Sequence, residues 1–321
     1  MSPGQVVVET KELTKKYGNV VALDRLTLSV ERGQILGFVG PNGAGKTTTI
    51  KILVGLARPT SGSAWIAGAD CVREARKIKR LVGYMPDTFG SYDNIRVGEY
   101  LDFFGAAFGI PRRGRARRIG EALATAGAGA FRDLYVEALS HGMKQRVAIA
   151  RTLLHDPAVL ILDEPANGLD PQARIEMREL LLSLAARGKT LLVTSHVLPE
   201  LARICHQVAI ITRGRLRAFG TLAEITRQLN PLRPMEILLT RAEQLDRAVA
   251  IVRQHVEPGA EIRCSEAEAV VWFRTARGEE ELAGLLAGLV GAGLEVAQFR
   301  EVQTDLEEAF MTVARSQESA A

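Results

Sequence analysis

A chain of 321 residues has room for two domains with cores of their own, and 24% charged against 47% hydrophobic residues is the ordinary balance of a soluble protein. A net charge of +4 is too small to argue for a nucleic-acid partner, and Cys71, Cys205 and Cys264 are too scattered for a metal knuckle or a disulfide framework, which suits a reducing compartment. No basic stretch followed by an apolar one opens the chain, and its longest weakly polar run, residues 282–294, falls short of the ~20 residues a bilayer needs, so neither a leader peptide nor a membrane span is expected.

Residues 6–39 alternate polar and apolar side chains and predict a β-rich N-terminal layer. A loop of that layer carries Tyr17, an aromatic that either stacks on a purine or stands in solvent. The apolar run Ile35–Val39 then meets Gly40-Pro41-Asn42-Gly43-Ala44-Gly45-Lys46-Thr47-Thr48, and residues 49–54 read as helix. Strand, Gly-rich loop and helix start match G-x-x-x-x-G-K-[ST] in the context that gives the match meaning. The glycines let successive N–H groups converge on one small volume, and the helix N-terminus adds unpaired donors and partial positive charge. Lys46 is then expected to reach terminal phosphates and the Thr47 hydroxyl to ligate Mg²⁺.

A turn at residues 59–62 and a short strand at 63–68 follow, then a basic helix around 73–80 and a strand over 81–87 that its proline breaks. Tyr84, Phe89, Tyr92, Tyr100, Phe103, Phe104 and Phe108 crowd into the next stretch. Tyr100, Phe104 and Phe108 fall at four-residue spacing, which suits helix core, while the density of rings suits a docking groove equally. The run Arg112, Arg113, Arg115, Arg117, Arg118 reads as a solvated helix face in preference to a contact with anionic lipid.

Leu139-Ser140-His141-Gly142-Met143 opens a helix with Ser140 as its N-cap, and Asp156-Pro157 ends it. Residues 158–162 are continuously apolar, as a strand buried on both faces should be, and they end in Asp163-Glu164. Two acids at the C-terminal end of a buried strand stand where open α/β sheets bind ligands. Asp163 suits Mg²⁺ as a hard oxygen donor, and Glu164 suits a general base acting on water. After a helix over Pro171–Ala186, the strand at 190–194 runs into Ser195-His196, which brings His196 to the same edge.

These residues resemble the ATP-binding subunits of ABC transporters over about residues 5–228. Gly40 to Thr47 fit the Walker A loop, Tyr17 the adenine-stacking aromatic, residues 139–143 the signature motif and residues 160–164 Walker B, while 167–170 fit the D-loop and His196 the switch histidine. The order is the family's own, and the variant pattern is similar to exporter subunits of the drug-resistance and sodium-extrusion type. The resemblance implies a P-loop NTPase α/β fold: a mixed sheet core, an N-terminal antiparallel β layer and a helical subdomain at about 88–156, within an ATP-binding domain at 5–230. It implies ATP and Mg²⁺, with nucleotide contacts from Tyr17, from Gly40 through Thr48 and from Ser140, Gly142 and Asp170, with the metal at Thr47, Asp87 and Asp163, and with Glu164 and His196 catalytic. It implies a head-to-tail homodimer, or a paired ATPase subunit, with two ATPs at the seam and a separate membrane permease, at the cytoplasmic face of the cell membrane and without nucleic acid.

Two departures stand out: Asp87 where the family usually has Gln, and His141 and Met143 within the usual Leu-Ser-Gly-Gly-Gln. Asp87, shorter and anionic, is expected to act on the metal through a water. His141 is expected to restrict the backbone and slow hydrolysis. Beyond a linker at residues 231–234, residues 235–315 predict strand 235–240, helix 242–255, strands 261–263 and 269–274, helix Glu279–Gly291, strand 294–301 and helix 305–314, a small ferredoxin-like α+β accessory domain. The competing readings are a soluble ABC-type ATPase uncoupled from transport and a nucleotide-gated binding module. The single cassette without a long insert between Lys46 and Asp163 counts against the first, and Glu164 with His196 against the second.

Overall fold

The computed structural model describes residues 4–90, 94–195, 201, 203–229 and 232–302, and the chain divides into two compact units, residues 1–222 and 223–321. In the first, β1 (Val6–Tyr17), β2 (Val20–Glu31), β4 (Ser61–Ile66) and β5 (Ala69–Asp70) form an antiparallel layer in the order β2-β1-β4-β5. The alternation of β2 decides which face is inward: Leu26, Leu28 and Val30 are buried while Thr27, Ser29 and Glu31 face water.

The second sheet holds β3 (Ile35–Val39), β6 (Val82–Met85), β7 (Val159–Leu162), β8 (Thr190–Ser195), β9 (Gln207–Thr212) and β10 (Arg215–Gly220), in the order β10-β9-β3-β8-β7-β6. All its neighbours run parallel except the β9–β10 hairpin. β3, β7 and β8 are buried along their whole length, which is why their sequences show no alternation. β6 stops at Met85, before the proline that cannot donate to the ladder.

Helix α1 (Lys46–Leu53) follows β3, and α2 (Ala75–Leu81) precedes β6. Three more, α3 (Val97–Ala107), α4 (Arg112–Thr125) and α5 (His141–Leu153), pack on one another. Helix α6 (Pro171–Ala186) starts from Asp170, whose carboxylate caps the Ala173 N–H at 2.8 Å, with proline in the first turn. The aromatic stretch divides between its two readings. Tyr100 is fully buried, with its hydroxyl donating to the Gly90 carbonyl at 3.0 Å and accepting from Arg151 at 2.8 Å, whereas Phe103 is 54% exposed. On α4, Arg115 pairs with Asp102, and Arg117 and Arg118 with Glu121, so this face is laced by intramolecular ion pairs.

Helix α7 (Leu222–Leu229) spans the division between the units. The second unit then runs β11 (Arg233–Leu239), α8 (Leu245–His255), β12 (Ile262–Ser265), β13 (Val270–Thr275), α9 (Glu279–Gly291) and β14 (Val296–Glu301). Its antiparallel sheet has the order β12-β13-β11-β14, which with this βαββαβ succession is the ferredoxin-like arrangement. Met235, Ile237 and Leu239 alternate inward from β11 and meet Leu245, Ala248 and Val252 of α8 and Leu282, Leu285 and Leu289 of α9. Arg233 and Pro234, expected in the linker, open β11 instead; Pro234 is paired with Arg274. Residues 242–244, expected to begin the helix, form a separate 3₁₀ turn. The helix expected at 305–314 lies outside the described residues.

Candidate active site

Five parallel strands end at one edge of the core sheet. Val39 stands opposite Ser195, Leu162 opposite Val193 and Met85 opposite Leu162, so the residues that follow β3, β6 and β7 emerge side by side. That register brings the loop after β3, Asp87, Asp163 and Glu164 around one cavity of about 230 Å³, lined by Ala22, Pro41 through Thr48 and the three acids. Pockets that enclose a whole small ligand usually measure ~300–1,000 Å³, so this one has the size of a phosphate chain and leaves any base outside it.

The loop is held from behind. Gly45 has φ 111°, and a Cβ there would stand 2.8 Å from the Ala22 carbonyl, so only glycine fits. Lys46 is buried, and its ammonium donates to the carbonyl oxygens of Gly40 and Pro41, the second at 3.4 Å. Burial lowers the Lys46 pKa, and the charges of Glu164 and Asp163 push it back up. Thr47 is exposed at the mouth, and Thr49 turns inward to donate to the Gly45 carbonyl at 3.0 Å.

Opposite the loop, Asp163 donates its N–H to the Met85 carbonyl at 2.9 Å and accepts the Thr194 hydroxyl at 2.6 Å. Burial, and then the charge of Asp87, hold its carboxyl above the usual carboxylate range, against the Thr194 bond and Lys46. The same acids help burial push the neighbouring Tyr84 phenol up to about 12. Glu164 takes φ 51°, a conformation uncommon outside glycine, and its N–H donates to Thr194 Oγ1 at 2.9 Å. One hydroxyl therefore fixes both acids. Thr194 was missed from the sequence; the signal available was a hydroxyl at the C-terminal end of a strand whose middle is apolar, beside the edge where the acids emerge.

Thr47, Asp87 and Asp163 give one hydroxyl and two carboxylates lining the same cavity. No group of three or more His, Cys, Asp or Glu able to hold a metal occurs among the described residues. That donor set fits Mg²⁺, which takes one or two carboxylates and completes its shell with phosphate oxygens and water.

The other expected residues are not gathered at this cavity. Tyr17, expected in a loop, ends strand β1; it is 50% exposed, and the Lys15 ammonium lies 4.8 Å from its ring centroid. Ser140 caps α5, accepting from the Met143 N–H at 3.3 Å, and is exposed. Gly142 lies beside Leu169 and Ala173, and Asp170 is occupied as the cap of α6. His141 sits at the start of α5, outside the positive-φ residues, so the expected backbone restriction does not arise. His196 lies outside the described residues. A larger hollow of about 350 Å³ also borders Glu164; apolar Ile175, Met177, Leu181 and Ile204 and the guanidinium-bearing Arg174, Arg178 and Arg203 line it, and none of the phosphate-loop residues does.

Comparison with known proteins places the fold among known ones. The family model for ABC transporters matches residues 23–167. The chain is 39% identical over 227 residues to the probable multidrug ABC transporter ATP-binding protein YbhF of Escherichia coli, a match over 71% of this chain that spans only 39% of that relative's length. It is 40% identical to the Nod factor export ATP-binding protein I of Ralstonia nicotianae, over 68% of each chain. Among solved structures it resembles an ATP-binding subunit of an ABC transporter at TM-score 0.63 and 33% identity, over 69% of this chain and 92% of that one. It also resembles the ATP-binding cassette MJ0796, described as dimeric in a post-hydrolysis state with ADP and Pi, at TM-score 0.60 and 28% identity over 67% and 98% of the two chains.

Proposed function

This chain belongs to the ABC transporter family, among its ATP-binding subunits, and on that premise we propose that it hydrolyses ATP to drive export through a separate membrane permease. The observation that carries the reading is the single cavity shared by the loop at 41–48, Asp87, Asp163 and Glu164. Its shape, phosphate-sized and open where a base would leave it, suits a nucleotide whose other half is covered elsewhere.

The loop amides and Lys46 hold the terminal phosphates, and Tyr17 carries the adenine. Thr47, Asp163 and, through a water, Asp87 would hold Mg²⁺, which when bound neutralises phosphate charge and polarises the γ-phosphate. As water attacks the γ-phosphorus and the bond to ADP breaks, Glu164 takes the water's proton. His196 steadies the γ-phosphate. Ser140, Gly142 and Asp170, which do not line this cavity in their own chain, act on the nucleotide of a second copy in a head-to-tail homodimer. Residues 5–230 serve as the ATP-binding domain and 235–315 as an accessory one. Attachment at the cytoplasmic face of the membrane is through the permease; no helix among the described residues is long and apolar enough to cross a membrane. The exporter names of YbhF and the Nod factor protein favour export for this chain.

Steady-state phosphate release tests the reading. Glu164→Gln is expected to lower kcat by about 10²–10⁴-fold with ATP binding retained. Lys46→Ala is expected to abolish ATP binding. Equal turnover in wild type and Glu164→Gln would leave Glu164 with no part in the chemistry.

A further inference from the structure

His141 replaces a residue that ordinarily has no side chain, and the structure gives that side chain a specific task. The ring stands on the first residue of α5, in helical backbone, with Nε2 2.8 Å from the carbonyl oxygen of Asn167. A carbonyl only accepts, so Nε2 carries the proton and donates it. Gln145, buried one turn along the helix, has its carboxamide nitrogen 3.3 Å from the same ring nitrogen, so with Nε2 donating to Asn167 the two are packed neighbours and not a hydrogen-bonded pair.

The acceptor side is shaped for the ring. Gly168 has φ 70°, and a Cβ there would lie 3.3 Å from His141 Nε2 and 3.5 Å from its Cδ2, closer than ordinary packing on the first. The Asn167 N–H in turn donates to the Glu164 carbonyl at 3.1 Å, closing a turn whose first residue is the strained Glu164. Glu164 is anchored behind by its N–H bond to Thr194. Hydrogen bonds thus run from the start of α5 through Asn167 to the backbone of the proposed general base.

We propose that His141 is a positioning residue that ties the N-terminus of α5 to the Glu164–Asn167 turn, so that the helix end closing on one nucleotide holds the base of the other site in register. This rests on the two-chain ATPase reading above. Glu164 belongs to the site formed by its own chain's phosphate loop, whereas Ser140 and Gly142 serve the partner's. The His141–Asn167 bond joins the two within one chain, which makes it a physical route for cooperation between the sites.

The test uses the full chain with His141→Ala and His141→Gln, the second keeping an N–H donor. Phosphate release across ATP concentrations is expected to give a Hill coefficient above 1 in wild type, and in His141→Ala a kcat about 5–10-fold lower, as loss of one ordering hydrogen bond would give, with KM nearly unchanged and that sigmoid flattened; a wild type with a Hill coefficient of 1 overturns the cooperation. His141→Gln is expected to recover most of kcat and of the sigmoid. Hydrogen exchange in nucleotide-free protein is expected to quicken at residues 167–169 in His141→Ala alone. Wild-type kcat and cooperativity in His141→Ala overturn the proposal, as does a loss of kcat that His141→Gln fails to restore. A wild type that releases no more phosphate than Glu164→Gln overturns the ATPase reading and the cooperation with it. Unchanged exchange at 167–169, in a wild type that does hydrolyse, overturns the tie alone.

Discussion

Asp163 carries a carboxylate into a buried position, with Thr194 and Lys46 offsetting only part of the penalty. Its folded pKa stands above its ordinary value, so ionised Asp163 disfavours the fold at neutral pH, and stability from this group rises as pH falls through the folded value. Asp163→Asn, which still accepts from Thr194, is therefore expected to raise the melting temperature of the nucleotide-free protein near neutral pH. The expected gain is about 2–4 °C, the shift that ~1 kcal/mol produces in a domain of this size. Magnesium with ATP should stabilise the wild type and not the variant. Thermal melts with and without both ligands check this; a variant less stable than wild type without ligand would mean the charge is better solvated than its burial implies. The site was readable at this scale wherever adjacent residues carry the chemistry, as at Gly40–Thr48 and Asp163-Glu164. It was unreadable where the partner is remote in sequence, because no local pattern announces that Thr194 clamps both acids or that His141 meets Asn167.

Among the elements, α6 shows how a loop with a proposed catalytic task also starts a helix. Asp170 accepts from the Ala173 N–H and Pro171 supplies the first turn, so the helix is set by the residues that end the D-loop. Asp170→Ala is expected to destabilise the protein by about 1 kcal/mol, while Asp170→Ser, another good cap, is expected to lose much less. Denaturant midpoints of the two variants decide it, and equal losses would assign the residue no capping role. Helix Pro171–Ala186 and the strands buried on both faces were legible because caps and unbroken apolar runs are local signals. The start of β11 was not: Pro234 reads as a linker residue, yet it is paired with Arg274 on β13, and only the folded sheet supplies that neighbour.

For the molecule as a whole, each unit closes a core of its own, the first around Phe38, Ile50 and Ile161 and the second around Ile237, Val252, Phe273 and Leu289. A fragment of residues 1–230 is therefore expected to fold cooperatively and to bind ATP, because the phosphate loop and all three acids of the cavity lie within it. Circular dichroism melts and ATP titration of the fragment check this, and a fragment that stays unfolded would show that the first core depends on the second unit. The order of elements made both architectures legible from the sequence, because strand and helix patterns in succession are themselves the signature of each fold.

Lys46 already has carbonyl partners within its own loop before any ligand arrives. Any anion entering the loop has to replace the carbonyl oxygens of Gly40 and Pro41 at that ammonium, an exchange that rewards a guest bearing several negative charges over one bearing a single charge.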